Sequence, residues 1–166
     1  MAVIGIDPGT AITGYGIIEQ NQRGDMVPIT YGVLRTSAGV EPQERLFSLS
    51  KQLKKILTTY APESSAVEKL YFQRNVSTAL SVGQARWVIL LELAKRKLPV
   101  YEYNPMDIKL SVTGYGKADK QQVQQMVKAI LNLDEIPQPD DAADALAVAI
   151  CHIHSRKFRN LQKKYV

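Results

Sequence analysis

The first sixteen residues, MAVIGIDPGTAITGYG, constrain the fold more than any other stretch. Val3, Ile4 and Ile6 are β-branched, as a strand buried on both faces requires. The run ends on one carboxylate, Asp7. Pro8-Gly9-Thr10 then turns the chain, and a second extended run opens at Thr13. Asp-Pro-Gly is common turn chemistry, so Asp7 has two readings. It is a turn former, or it is an acid set at the end of a buried strand. A charge there is expensive unless it points into a polar crevice and meets a cation. The rest of the chain decides.

Thr13 to Gln20 and Val27 to Thr36 read as two further strands, joined by a hairpin connection at Asn21-Gln22-Arg23-Gly24-Asp25. The period then changes. Leu46, Leu49, Leu53, Ile56, Leu57 and Tyr60 mark one face of a helix from Pro42 to Tyr60, with Pro42 in its first turn and Pro62 beyond its end. Ser64 to Leu70 is a short buried strand with Glu68 near its end. The loop Tyr71-Phe72-Gln73-Arg74-Asn75 leads into a long helix over Val76 to Lys97, with Leu80, Gly83, Trp87, Leu90, Leu91 and Ala94 on or near one stripe. Pro99 to Asn104 is a fifth strand. The order β-β-β-α-β-α-β implies a mixed α/β sheet, antiparallel in its first three strands and parallel where helices cross over. A short helix over Asn104 to Leu110 follows, then a flexible glycine-bearing loop, Thr113 to Lys117. Val123, Met126, Val127, Ile130 and Leu131 mark an amphipathic helix, and a last helix runs from Asp140 to Ser155. No repeat or interdomain linker is visible, so residues 1–155 read as one domain and 156–166 as a basic tail.

The last helix opens Asp140-Asp141-Ala142-Ala143-Asp144. Acids in a first turn are ordinarily caps and dipole partners, which suits Asp140. It suits Asp144 poorly, because Asp144 lies a turn inside and an apolar run follows it. Asp141 and Asp144 are three apart and share a face; the alanines around them allow that face close to a sheet. Asp7, Glu68, Asp141 and Asp144 thus have one character: each ends or begins an element beside an apolar run. If they converge, their repulsion must be relieved by protons or by metal. Hard oxygen donors without Cys or His select Mg²⁺ or Mn²⁺. Two such ions about 4 Å apart serve phosphodiester hydrolysis.

Charge placement matters more than its total. The net charge is +5, and Arg156, Lys157, Arg159, Lys163 and Lys164 account for all of it, so basicity alone does not identify a nucleic-acid partner. A single cysteine, Cys151, excludes an internal disulfide and fits a reducing compartment. With no signal peptide and no membrane-length apolar run, a cytoplasmic location away from membranes is expected.

Gly5-Ile6-Asp7-Pro8-Gly9-Thr10 with Thr13-Gly14-Tyr15-Gly16, the Glu68 strand, Gly83-Gln84-Ala85-Arg86, and Asp141-Ala142-Ala143-Asp144-Ala145 together resemble the RuvC family of Holliday-junction resolvases, in order and spacing over residues 1–155. The resemblance implies a ribonuclease-H-like fold with a five-stranded mixed sheet in the order 3-2-1-4-5, flanked by helices. It implies a homodimeric, Mg²⁺-dependent endonuclease, with Mn²⁺ able to substitute and two ions per site. Such an enzyme nicks two strands of four-way junction DNA symmetrically, in recombination and repair. The family acids match Asp7, Glu68, Asp141 and Asp144 as catalytic and metal-holding residues. Asp7 would bridge the ions, and a water would be the nucleophile. A branch-migration complex, RuvAB, is the implied protein partner.

The same resemblance makes Tyr71 an aromatic wedge that stacks on junction bases, with Phe72 beside it. Arg74 and Asn75 are candidate DNA-backbone contacts. Lys109 and Lys120 match lysines near the scissile phosphate, and Arg86 serves DNA or the dimer. Where the family commonly has glycine after Gln-Ala-Arg, this chain has Trp87, which belongs either to a dimer interface or to the core. His152 lies eight residues beyond Asp144, about 12 Å along a helix, too far to share an ion, so His152 and His154 read as structural or surface residues. The Asp7 turn also resembles the first phosphate motif of actin-like ATPases and sugar kinases, but their further motifs are missing. A junction-binding module without catalysis would require loss of an acid, and all four are present.

Overall fold

The computed structural model describes the backbone of residues 1–70 and 76–162, and side chains at 1–70 and 80–156. Five strands, β1 (Ala2–Asp7), β2 (Ile12–Gln20), β3 (Met26–Arg35), β4 (Ser64–Glu68) and β5 (Val100–Tyr103), form one sheet in the order β3-β2-β1-β4-β5. β1 pairs antiparallel with β2 and parallel with β4; β5 continues the parallel half. This is the mixed sheet expected from the order of elements.

Two helices cover one face: α1 (Pro42–Tyr60) and α2 (Val76–Lys95). Leu49, Leu53 and Leu57 of α1 and Ala85, Ile89 and Leu93 of α2 pack there on Ile4, Ile6 and Ile17. The other face carries α3 (Pro105–Thr113), α4 (Lys120–Ile130) and α5 (Asp140–Gln162), packed on Val3, Ile18 and Ala66. β1, at the centre, is therefore buried on both faces, which explains its unbroken β-branched run.

The stripe expected on α2 does not face the core. Ala85, Ile89 and Leu93 point inward, while Leu80 is 65%, Trp87 67% and Leu91 53% exposed. Trp87 is therefore not a core residue. α2 is apolar nearly all round, so periodicity alone does not select its inward face. Gly83 lies beside this outward stripe, and a side chain built there would meet nothing within 4 Å. α5 also departs from expectation: it continues past Ser155 to Gln162, into the segment read as a tail. No helix among the described residues is long and apolar enough to cross a membrane.

α5 lies unusually close to the sheet because the sheet has glycines beneath it. A Cβ on Gly5 would stand 2.2 Å from the Ala145 carbonyl oxygen, and one on Gly14 would stand 1.9 Å from the Asp141 carbonyl oxygen. Gly5 faces Gly16 across the β1–β2 ladder, and Gly14 faces Asp7. The helix answers with Ala145 and Ala149. Small residues on both partners thus bring the first turns of α5 down beside the end of β1. That contact positions the site.

Candidate active site

The acids are gathered by three independent elements. Asp7 ends β1 and Glu68 ends the adjacent parallel strand β4, so both point off the same sheet edge. Asp141 and Asp144 come from the first turns of α5. The loop after Asp7 is held by Thr13, whose hydroxyl donates to the Gly9 carbonyl at 2.8 Å and accepts from the Gly9 N–H at 3.3 Å. Thr10 reaches Ser81 of α2 at 3.1 Å.

The electrostatics follow from the convergence. Burial, and then the charges of Glu68, Asp144 and Asp141, hold the Asp7 carboxyl well above the ordinary carboxylate range. Burial also raises Glu68, a hydrogen bond from Asp7 opposes that rise, and Asp144 adds to it. Burial and the neighbouring carboxylates thus favour the protonated form of Asp7, which shares a hydrogen bond with Glu68. Burial raises Asp144 as well, against the pull of Lys120. A cluster that shares protons and recruits a lysine is short of positive charge.

Two lysines stand at the rim. Lys120, at the start of α4, approaches Asp144 at 3.2 Å and Asp140 at 3.4 Å. Burial works against its charge, but both carboxylates outweigh that and raise it. Asp140 is thus a partner of Lys120, more than a helix cap. Lys109 of α3 acts on Glu68 as a neighbouring positive charge. Glu68, Lys109, Lys120 and Asp144 line one cleft of about 260 Å³ with Pro105, Ile108, Val123 and Ala147.

Among the described residues, no three acidic, histidine or cysteine side chains close to ligating distance around one point. The donor set nevertheless fits a divalent cation. It consists of carboxylate oxygens alone, from β1, β4 and α5, and burial followed by neighbouring carboxylates raises Asp7, Glu68 and Asp144. Bringing a cation in would require Asp7 to give up its proton and Lys120 to yield Asp144.

The remaining expected residues divide. Tyr71, Phe72, Arg74 and Asn75 lie outside the described residues. Arg86 forms an ion pair with Glu102 of β5, and burial lowers its pKa. Its guanidinium ties α2 to the sheet, a use the sequence motif did not reveal because Glu102 is remote in the chain. His152 is structural, as expected. It is buried, with Nδ1 at 2.9 Å from the Tyr103 hydroxyl and Nε2 at 3.3 Å from the Ser64 hydroxyl. His154 Nδ1 meets the Ser111 carbonyl at 3.1 Å. Sequence reasoning missed Gly5, Gly14 and Gly16 as the residues that seat the acids. Their recurrence on two neighbouring strands, beside an alanine-rich helix, is the signal that could have found them.

Comparison with known proteins is consistent with this arrangement. The model of the family "Crossover junction endodeoxyribonuclease RuvC" matches residues 3–152. A protein of that name from Desulfitobacterium hafniense is 53% identical over 160 residues, covering 96% of each chain. The structure of Thermus thermophilus RuvC superposes with a TM-score of 0.88 at 34% identity, covering 95% of this chain and 96% of that one. The T. thermophilus protein in complex with a Holliday junction substrate gives 0.87 at 32% identity, with the same coverage. A glycine-seated helix that lowers two acids onto the edge formed by Asp7 and Glu68, in a sheet shared with these relatives from end to end, places the chain in the RuvC family of crossover junction endodeoxyribonucleases.

Proposed function

We propose that this chain resolves four-way DNA junctions by metal-assisted hydrolysis of one phosphodiester per site, with two sites acting as a pair. The observation that carries this reading is the convergence of Asp7, Glu68, Asp141 and Asp144 from three elements, with Lys109 and Lys120 at the rim. The four acids hold Mg²⁺ or Mn²⁺, two ions per site. When bound, these ions supply an activated water and charge stabilisation at the leaving oxygen. Asp7, at the end of β1, would contribute its carboxylate to the ions. Lys109 and Lys120, which line the cleft with Glu68 and Asp144, would hold the scissile phosphate by point-charge attraction. Tyr71 and Phe72 stack on junction bases, and Arg74 and Asn75 contact the backbone. A branch-migration complex, RuvAB, is the protein partner that family membership implies.

Two symmetric cuts need two sites, so the functional unit is a C₂ homodimer. The outward stripe of α2 supports this: Leu80, Trp87 and Leu91 expose apolar surface that the folded chain does not cover. Arg86, already paired with Glu102, supports the dimer by bracing α2. Residues 1–155 carry the activity, and the basic residues of 156–166 add sequence-independent phosphate attraction.

Denaturing electrophoresis of end-labelled four-way junctions tests the reading. Asp7→Asn lowers Mg²⁺-dependent nicking by at least about 100-fold while junction binding persists, because the acids serve the ions and the cations serve the DNA. Near-normal nicking by this variant would falsify the assignment. ATP binding by the wild-type chain would favour the actin-like reading instead.

A further inference from the structure

Asp7 is the last residue of β1, so the sheet secures it from one side only. It faces Gly14 across the β1–β2 ladder, but the parallel ladder to β4 ends one residue earlier, at Ile6 and Val67. Beyond that point the aim of Asp7 depends on the loop of residues 8–11. The loop is tight: a Cβ on Gly9 would stand 2.0 Å from the Ile12 carbonyl oxygen.

The loop is also held from outside, by residues remote in the chain. Thr36, just past the end of β3, donates its hydroxyl to the Thr10 carbonyl at 2.6 Å and its N–H to the Ala11 carbonyl at 3.0 Å. The same hydroxyl accepts from Arg45 Nε, near the start of α1, at 3.1 Å. The Thr10 hydroxyl donates onward to Ser81 of α2. A threonine hydroxyl has a single hydrogen and rotates to suit its partners. A guanidinium donating to its oxygen directs that hydrogen elsewhere, here to the Thr10 carbonyl, and the charge strengthens the chain of bonds.

Arg45 has no other partner that accounts for it. Among the described residues no carboxylate forms an ion pair with its guanidinium. Its charge is not among those that act on the Asp7 carboxyl. The side chain is half-buried, so it gives up hydration for a bond to a neutral hydroxyl. We propose that Thr36 and Arg45 are positioning residues for Asp7: Arg45 orients the Thr36 hydroxyl, Thr36 holds the Thr10 carbonyl, and the loop so fixed aims Asp7 at the other acids. The inference rests on the resolvase reading above.

The test is a double-mutant cycle in single-turnover junction nicking. Thr36→Val removes the hydroxyl and keeps the shape and the N–H that bonds Ala11; Thr36→Ala makes the same comparison without a branched side chain. Thr36→Val and Arg45→Gln each slow nicking by about tenfold, and the double variant is slower than either by less than about twofold. Thr36→Ser keeps the hydroxyl and restores the rate to within about twofold. Junction affinity in chelator and its salt slope stay as in wild type. A second readout needs neither ions nor DNA. The Gly9 N–H, bonded to the Thr13 hydroxyl, exchanges with solvent about tenfold faster in both single variants and no faster in the double one. Melting in chelator confirms that the variants are folded. Effects that multiply in the double variant overturn the proposal, because Arg45 then does not act through Thr36. A lowered salt slope in Arg45→Gln also overturns it, and makes Arg45 a direct phosphate contact. So does wild-type nicking by the two Thr36 variants that lack the hydroxyl. If the wild-type chain nicks no junction, the resolvase reading fails, and the exchange arm still decides whether Arg45 acts on the loop through Thr36.

Discussion

Gly14→Ala adds one methyl group at the point where α5 rests on the sheet, and its effect follows from the structure. The new Cβ would lie 1.9 Å from the Asp141 carbonyl oxygen, 2.6 Å from its carbon and 3.2 Å from the Ala145 Cβ. Ordinary contact begins at 3.4 Å, so the helix must retreat by about 1.5 Å or tilt. The neighbour is backbone, which no rotamer change can move aside. Overpacking of this kind costs about 1–3 kcal/mol, a shift in melting midpoint of roughly 2–12 °C for a chain of this size. The larger effect is functional. The retreating turn carries Asp141 and Asp144 away from Asp7, which sits directly across the ladder from Gly14. A misplacement of about 1 Å in a positioned site costs on the order of 100-fold in rate. Thermal melting and junction nicking are the two assays, with gel-shift affinity as control. The expected result is a folded protein that binds junctions normally and nicks them about 100-fold more slowly. Gly39→Ala, where a Cβ meets nothing within 4 Å, leaves both assays unchanged. Wild-type nicking by Gly14→Ala would refute the claim that helix seating sets the acidic geometry.

Two further predictions follow from charge and exposure. Burial and mutual repulsion raise Asp7, Glu68 and Asp144, so in chelator the folded chain binds protons more tightly than the unfolded one. Its stability is then fullest below the unfolded carboxylate values, about 4, and falls as pH rises through the raised folded values. Melting in EDTA across this window should show that decline, Asp7→Asn should flatten it, and millimolar Mg²⁺ should reverse it at the upper end; a wild-type midpoint that rises instead contradicts the acidic cluster. Trp87→Glu should leave the melting transition cooperative, because the side chain is 67% exposed, but weaken dimerisation at least about 100-fold by analytical ultracentrifugation, since a buried aromatic anchor is worth several kcal/mol. A dimer of unchanged affinity would remove α2 from the interface.

Local chemistry in the sequence was sufficient for the framework. The unbroken β-branched run of β1, the leucine period of α1 and the proline that opens it each depend on near neighbours, and each element formed where those neighbours placed it. The acids were legible for the same reason, since a carboxylate at the end of an apolar run is anomalous wherever the run lies. Facing and pairing were not legible. α2 is apolar on several sides, so only its docking against α1 and the sheet decided that Ile89 turns inward and Trp87 outward. Arg86 reads as a DNA or dimer contact, and only the fold shows that Glu102 of β5 also reaches it. Gly5 and Gly14 stand in the family motifs with no role the sequence can supply, because a missing side chain acquires meaning only when another backbone occupies the space. In this protein that backbone is the first turn of α5, and its close approach turns four scattered acids into one cluster. Side-chain period is a property of neighbours along the chain; the distance between a helix and a sheet depends on both surfaces at once, and only the tertiary structure determines it.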